Sequence, residues 1–265
     1  MKVELISHTP NALDLLLYTK NTRLQGQQTL KTISNMTRPE KLEHLAYMRD
    51  TIKSSWEFID YVFEITGVSR AFTHQFVRTR TGSYAQQSQR TVNVSENSWI
   101  NPDEDKYDIK DNGPDLIGRY ETIMAHAMVG YSTLIKNGME VQDARGVLPT
   151  NIETSIIAKF DLRTLHQMAE VRLCTKTQGE YQKVFQAMKA AVVEVHPWAE
   201  DFINVFCANH GTCCFPRFTE CPIQKYTYSS NHQRHHAVLD EIKDEHSLIN
   251  FEANPVAMRG RTDGS

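Results

Sequence analysis

FIDYVFEITGVSRAFTHQFVRTRTGSYAQQSQR, residues 58–90, contains the change of period that decides the fold. Ile59, Tyr61, Phe63 and Ile65 alternate with Phe58, Asp60, Val62 and Glu64, the repeat of a strand with one dry face. Gly67 is expected to end that strand. Ser69 can then cap a helix running through Arg78, with Phe72 and Phe76 on one stripe and Ala71, Gln75 and Arg78 on another. One stripe packs and the other presents polar groups. A loop is expected from Gly82 to about Asn97.

Outward from this core the same two periods recur. Upstream, Thr37-Arg38-Pro39-Glu40 has the form of a helix start, a capping Thr with Pro in the first turn and Glu three residues on, and Leu42, Leu45, Met48 and Ile52 follow at helical spacing. Downstream, Pro114 is expected to open a long helix through Leu116, Ile117, Tyr120, Met124, Met128, Tyr131 and Leu134, closed by Gly138. Ile152, Thr154, Ile156, Ala158 and Phe160 form a second alternating run, Asp161 can cap the helix after it, and a further helix spans about Gly179 to Val195 until His196-Pro197 stops it.

The chain has 265 residues, 40% hydrophobic and 23% charged, with a formal net charge of -3. That is enough apolar material for one substantial core, and no global positive field holds a nucleic-acid polymer. Leu15 to Leu17 is too short an apolar run for a signal-peptide core or a bilayer span, so a cytoplasmic protein without membrane contact is expected. Cys207, Cys213, Cys214 and Cys221 lie near His210, but their spacing lacks the paired pattern of a zinc site and reads as reduced thiols, so no metal is assigned. From about Lys225 the sequence turns polar, with His232, His235 and His236, giving an expected division into a domain over 1–224 and a loosely packed extension over 225–265.

Gln75 to Arg90 carries the chemistry. Three arginines, four glutamines and two serines surround one helix end and its loop. Guanidinium groups match phosphate oxygens in a two-pronged geometry, and amides, hydroxyls and backbone N–H groups complete an anion site of the size of a nucleoside monophosphate. A solvated basic loop is the bland alternative for these residue types.

Arg78-Thr79-Arg80, followed after seven residues by Ser88, resembles the Arg-His-Arg, seven residues, Ser signature of the flavin-dependent thymidylate synthases. Trp56-Glu57, Gly67 to Ala71, and Gln86-Gln87-Ser88-Gln89-Arg90 resemble the blocks around it. Farther along, Arg145-Gly146-Val147-Leu148-Pro149 resembles an Arg-x-x-Leu-Pro element, Asp161-Leu162-Arg163 an Asn-x-Arg helix start, and Arg172-Leu173-Cys174 with Gln178 and Glu180 a substrate helix, in matching order from about Ser54 to Trp198. The resemblance implies an α/β (α+β) subunit with a central, mainly antiparallel sheet flanked by long helices and assembled as a homotetramer. It implies methylation of dUMP with FAD, NADPH and methylene-tetrahydrofolate. By the same resemblance Gln75, Arg78, Gln86, Gln87, Ser88, Gln89, Arg90, Arg145 and Arg172 bind dUMP. Ser54, Arg78, Thr79, Arg80, Gln86, Asp161, Arg163 and Gln167 then meet the flavin, partly across subunits.

The resemblance implies that Arg172 contacts the uracil edge, which makes it the leading catalytic residue: a fixed cation at the N3/O4 edge stabilises negative charge as the 5-carbon becomes electron-rich. Ser88 is the second. No His or carboxylate neighbours it in its loop to act as a base, which makes it a nucleotide ligand rather than a nucleophile. Four positions depart from the family pattern: Thr79 replaces the signature histidine, Phe58 another histidine, Asp161 an asparagine and Thr91 an aromatic. These bear on the cofactor more than on the nucleotide. Two alternatives follow, a diverged homologue that hydroxymethylates a pyrimidine deoxynucleotide and a catalytically silent nucleotide-binding homologue.

Overall fold

A computed structural model describes residues 1–23, 28–49, 51–103, 107, 115–211, 213 and 221. Pro114, expected to open the long helix, Cys214 and the whole polar stretch 225–265 lie outside the described residues. The chain divides into two compact units, Met1–Asn204 and Val205–Ser265.

In the first unit four strands, β1 (Lys2–His8), β2 (Asp60–Ser69), β3 (Ser83–Gln86) and β4 (Glu153–Asp161), form one sheet in the order β1-β2-β4-β3. Every pairing is antiparallel. Its described helices are α1 (Ala12–Arg23), α2 (Leu30–Ser34), α3 (Arg38–Arg49), α4 (Arg70–Phe76), α5 (Leu116–Lys136), α6 (Val141–Ala144), α7 (Leu162–Arg172) and α8 (Gly179–Val195). The second unit contributes α9 (Phe206–His210), closed by Gly211 in the left-handed region and by stacking of the Phe206 and His210 rings at 4.2 Å. None of the described helices is long and apolar enough to cross a membrane.

The alternation in the sequence is realised side chain by side chain. Tyr61, Phe63 and Ile65 of β2 and Ile156, Ala158 and Phe160 of β4 are all buried. Against them lie Leu165, Met168 and Ala169 of α7 and Tyr181, Val184, Phe185, Met188 and Val192 of α8, likewise buried. The sheet therefore carries its helical layer on that face. A second cluster, Val94, Met128, Tyr131, Ala144 and Ile152, fixes α5 beside the β4 start, with Trp99 and Leu148 packed against it.

Local chemistry sets the helix boundaries. Ser69 Oγ accepts the Phe72 N–H at 3.0 Å and Asp161 Oδ1 accepts the Thr164 N–H at 2.6 Å, so both expected caps form. At α3 the return half of the capping box forms: the Thr37 N–H and hydroxyl both donate to Glu40 Oε2 at 2.7 Å. Asp115 caps α5 by accepting the Gly118 N–H at 2.7 Å, and Gly138 follows the helix at φ +91°. The α8 span is as read from sequence.

Four expectations change. Gly67 does not end β2: at φ +66° it bends the strand through a register shift between Ile65 and Val68, and pairing resumes to Ser69. An extra residue in a left-handed conformation is a bulge, which glycine accommodates without a Cβ clash. The stretch after Gly82 is not all loop, because Ser83–Gln86 pairs with β4 as the sheet's edge. Helix α4 stops at Phe76, and β1 and α1 were not foreseen.

Candidate active site

Phe72 and Phe76 point from α4 into the core, where Phe72 meets Tyr181 edge to face at 5.0 Å and Phe76 meets Phe160 at 5.4 Å. This aromatic anchoring turns the helix's polar side outward and sets the signature turn just past its end. The Tyr84 hydroxyl pins the turn by donating to the carbonyls of Thr79 at 2.7 Å and Phe76 at 3.1 Å. Gly82 closes it where a Cβ would run into the Phe160 ring and the Tyr84 hydroxyl. Arg78 and Arg80 emerge exposed, and neither pairs with a carboxylate among the described residues. Thr79 between them is half-buried.

Beyond the turn, β3 delivers the glutamines. Gln86 Nε2 donates to Thr73 Oγ1 at 2.7 Å, and the Gln87 N–H donates to the Ser155 carbonyl at 3.2 Å. Gln75 Nε2 donates to Gln178 Oε1 at 2.6 Å, tying α4 to the entry of α8. Ser88 Oγ accepts the Arg90 N–H at 3.2 Å and meets no His or carboxylate among the described residues, which fits a ligand role and supplies no base. Gln89 is half-buried and Arg90 exposed.

Arg70 is the residue that sequence reading passed over. It opens α4, is half-buried, and donates from Nη1 to the Gln87 carbonyl at 3.2 Å, while its Nε is buried without a hydrogen-bond partner. Burial, and then the neighbouring positive charge of Arg145, push its pKa below the ordinary arginine value. Arg145 is exposed, its Nε donating to the Gln142 carbonyl at 3.1 Å. Neither guanidinium pairs with a carboxylate among the described residues. Two like charges near one another, with a donor to spare, have the chemistry that suits an anionic ligand.

Behind Arg70, Glu180 of α8 takes the Ser69 N–H at 2.7 Å and the Ser69 hydroxyl at 2.5 Å. Its carboxylate thus faces the first turn of α4, where helix polarity favours it. Arg172, the last residue of α7, lies with its guanidinium carbon 4.4 Å from the centre of the Tyr181 ring. It is half-buried, and no carboxylate pairs with it among the described residues.

Of the residues expected to meet flavin, Arg78, Thr79, Arg80 and Gln86 lie at the signature turn and β3, whereas Ser54, Asp161, Arg163 and Gln167 form a group of their own around the start of α7. The 3-10 turn Lys53–Phe58 bearing half-buried Ser54 packs on α7. At the α7 start the Arg163 guanidinium pairs with Glu57, Asp161 is engaged as the helix cap, and Gln167 is exposed. Arg163 is therefore already neutralised within the chain. Arg78 and Arg80 are the cations left for an anionic cofactor, and with the short Thr79 side chain between them they suit the diphosphate of a dinucleotide. One chain thus brings together Arg70, Gln87 and Arg145, and separately Thr79, Tyr84, Arg172 and Tyr181. Among the described residues no hydrogen bond or ion pair joins either set to Ser54 or Arg163.

Residues 4–198 match the family model described as thymidylate synthase complementing protein. The chain is 31% identical over 234 residues to the flavin-dependent thymidylate synthase of Clostridium tetani, covering 80% of this chain and 90% of that one. It is 27% identical over 227 residues to the enzyme of the same name from Pyrococcus furiosus (80% and 89%), and 28% identical over 213 residues to that from Sulfurisphaera tokodaii (74% and 79%). A family match that takes in the sheet, the signature turn and the arginines of both clusters identifies this chain as a member of the flavin-dependent thymidylate synthase family.

Proposed function

We propose that this chain is a thymidylate synthase that methylates dUMP at the uracil 5-carbon, with FAD as cofactor and NADPH and methylene-tetrahydrofolate as co-substrates. The observation that carries the reading is Arg70, held on the Gln87 backbone carbonyl with the charge of Arg145 nearby, neither guanidinium having a carboxylate partner among the described residues, on segments that the family resemblance assigns to the nucleotide. They take the phosphate, with Arg90 and Ser88 from the following loop. Gln75, Gln86 and Gln89 complete the nucleotide cradle, and Arg172 addresses the N3/O4 edge of uracil.

Arg172 suits that edge because a guanidinium stays charged at every working pH and donates N–H bonds in its own plane. A cation held there stabilises the negative charge that spreads through the ring when the 5-carbon attacks, and preorganised charge of this kind is worth roughly 3 to 4 kcal/mol of barrier. Ser54, Arg78, Thr79, Arg80, Asp161, Arg163 and Gln167 would hold the flavin. When bound and reduced by NADPH, it supplies the hydride that completes the methyl group, while methylene-tetrahydrofolate supplies the carbon. Separation of Ser54, Asp161, Arg163 and Gln167 from the arginines of the nucleotide group within one chain supports a homotetramer whose sites are completed between subunits.

The test is incubation of the protein with FAD, NADPH, methylene-tetrahydrofolate and dUMP, with the nucleotide product weighed by mass spectrometry. A methyl increment is expected. A hydroxymethyl increment would select the diverged chemistry, and a colourless protein that binds dUMP without turnover would select the silent homologue.

A further inference from the structure

The contact between Arg172 and Tyr181 is of an unusual kind for a residue that must present its charge. A carboxylate partner would hold a guanidinium but neutralise it and occupy its N–H donors. An aromatic face holds it through the ring's quadrupole and leaves every N–H, all of them in the guanidinium plane, directed outward at its edge. Tyr181 is itself held firmly. Its side chain is fully buried, edge to face with Phe72 at 5.0 Å and Phe76 at 5.8 Å, so its ring plane is set by α4, the helix that also sets the signature turn. Its hydroxyl is buried near both Thr79 and the Arg172 guanidinium, yet meets no partner at hydrogen-bond geometry among the described residues. The ring, rather than the hydroxyl, makes the organised contact.

We propose that Tyr181 is a positioning residue for the reaction: its ring fixes the plane and height of the Arg172 guanidinium while leaving its charge and donors available to the substrate. This rests on the reading of Arg172 as the residue at the uracil edge. Because the contact serves orientation, its loss acts on turnover more than on nucleotide affinity.

The test compares Tyr181→Leu with Tyr181→Phe and Arg172→Ala in the full-length protein. Tyr181→Leu is expected to lower kcat about tenfold to a hundredfold, as small misplacements of a catalytic group do, with KM for dUMP changing less than about threefold. Tyr181→Phe keeps the ring and is expected to stay within about threefold of the parent, since the hydroxyl it removes has no partner. Where Tyr181→Leu does not fold, judged by its melting curve, Tyr181→Met provides the ring-less variant with a side chain that adapts to the gap. A parent-like kcat in the ring-less variant, or a Tyr181→Phe defect as large as that variant's, overturns the proposal.

A second readout needs no turnover. Modification of Arg172 by phenylglyoxal, followed by peptide mass spectrometry, is expected to accelerate several-fold in the ring-less variant and not in Tyr181→Phe, because the ring covers one guanidinium face. An unchanged rate overturns the contact itself. Normal turnover in Arg172→Ala would instead remove Arg172 from its proposed role, and turnover lost there but kept in Tyr181→Leu would remove only the role of Tyr181.

Discussion

At Arg70 a half-buried guanidinium stands near a second one, with a buried Nε that nothing satisfies. Charge-assisted hydrogen bonds to an anion each contribute about 1.5 to 3 kcal/mol, so Arg70→Ala is expected to weaken dUMP binding about tenfold to a hundredfold. Deoxyuridine, lacking the phosphate, should bind both proteins alike in calorimetry; equal loss for the two ligands would place Arg70 away from the phosphate. Ser69 behind it has the opposite character, since its hydroxyl accepts the Phe72 N–H and donates to Glu180. Ser69→Ala removes a helix cap and leaves a carboxylate one donor short, a cost of about 1 to 3 kcal/mol readable as a lower urea midpoint. The Ser69 cap was legible in sequence because a cap bonds within its own turn. Arg70 was not recognised as a site residue, because its meaning depends on Arg145, brought alongside only by the fold.

Strand β2 shows why some elements could be read and others could not. Its dry face is written residue by residue in Tyr61, Phe63 and Ile65, as that of β4 is in Ile156, Ala158 and Phe160. Strand β1 carries no fully buried residue and only the short alternation of Val3 and Leu5 with Lys2 and Glu4, and β3 has four residues whose strand partner among the described residues is β4, far along the chain. The bulge at Gly67 defeated the simple rule that glycine ends a strand. There the backbone is left-handed, and a Cβ would stand 2.9 Å from the Met1 backbone nitrogen. Gly67→Ala is accordingly expected to destabilise the protein by about 1 to 2 kcal/mol, with β1 edge amides exchanging faster. Unchanged stability and protection would mean that the bulge is not strained by a side chain. The site arginines were likewise legible as residues from their motif spacing, whereas the self-contained Arg163–Glu57 pair was not.

For the molecule as a whole, acid sensitivity and assembly follow from where burial is complete and where it is not. His196 closes the core at the end of α8, its Nδ1 3.0 Å from the Tyr61 hydroxyl and its ring against His8 and Trp198, and burial depresses its pKa from 6.5 to about 4. Between those values the unfolded chain binds the proton and the folded chain does not, so stability is full above about pH 6.5 and falls as pH drops toward 4. Allowing for partial solvation, the loss from this one group is about 2 kcal/mol. His196→Phe should flatten that part of the urea midpoint against pH curve, and a parent-like slope would assign it to other groups.

Assembly can be reasoned from the opposite observation. Helix α5 spends Met124, Met128 and Tyr131 on its own chain, yet Ile123 is 68% exposed and Val129 65%, while Ile157 and Ile6 stand on the outer side of the sheet. In the proposed tetramer these exposed apolar groups are the ones a neighbouring subunit would cover. If α5 lies in the interface of the proposed tetramer, Ile123→Glu exchanges an apolar contact worth about 1.5 to 3 kcal/mol for a buried charge in every subunit. Native mass spectrometry should then show smaller species in place of the tetramer. If Ser54, Asp161, Arg163 and Gln167 meet the flavin of a neighbouring subunit, the dissociated protein should lose flavin colour together with its mass, while circular dichroism reports an intact subunit. A tetramer that survives Ile123→Glu with its flavin would exclude this face of α5 from the assembly, and a parent protein that is already monomeric yet fully active would show that one chain completes its own site.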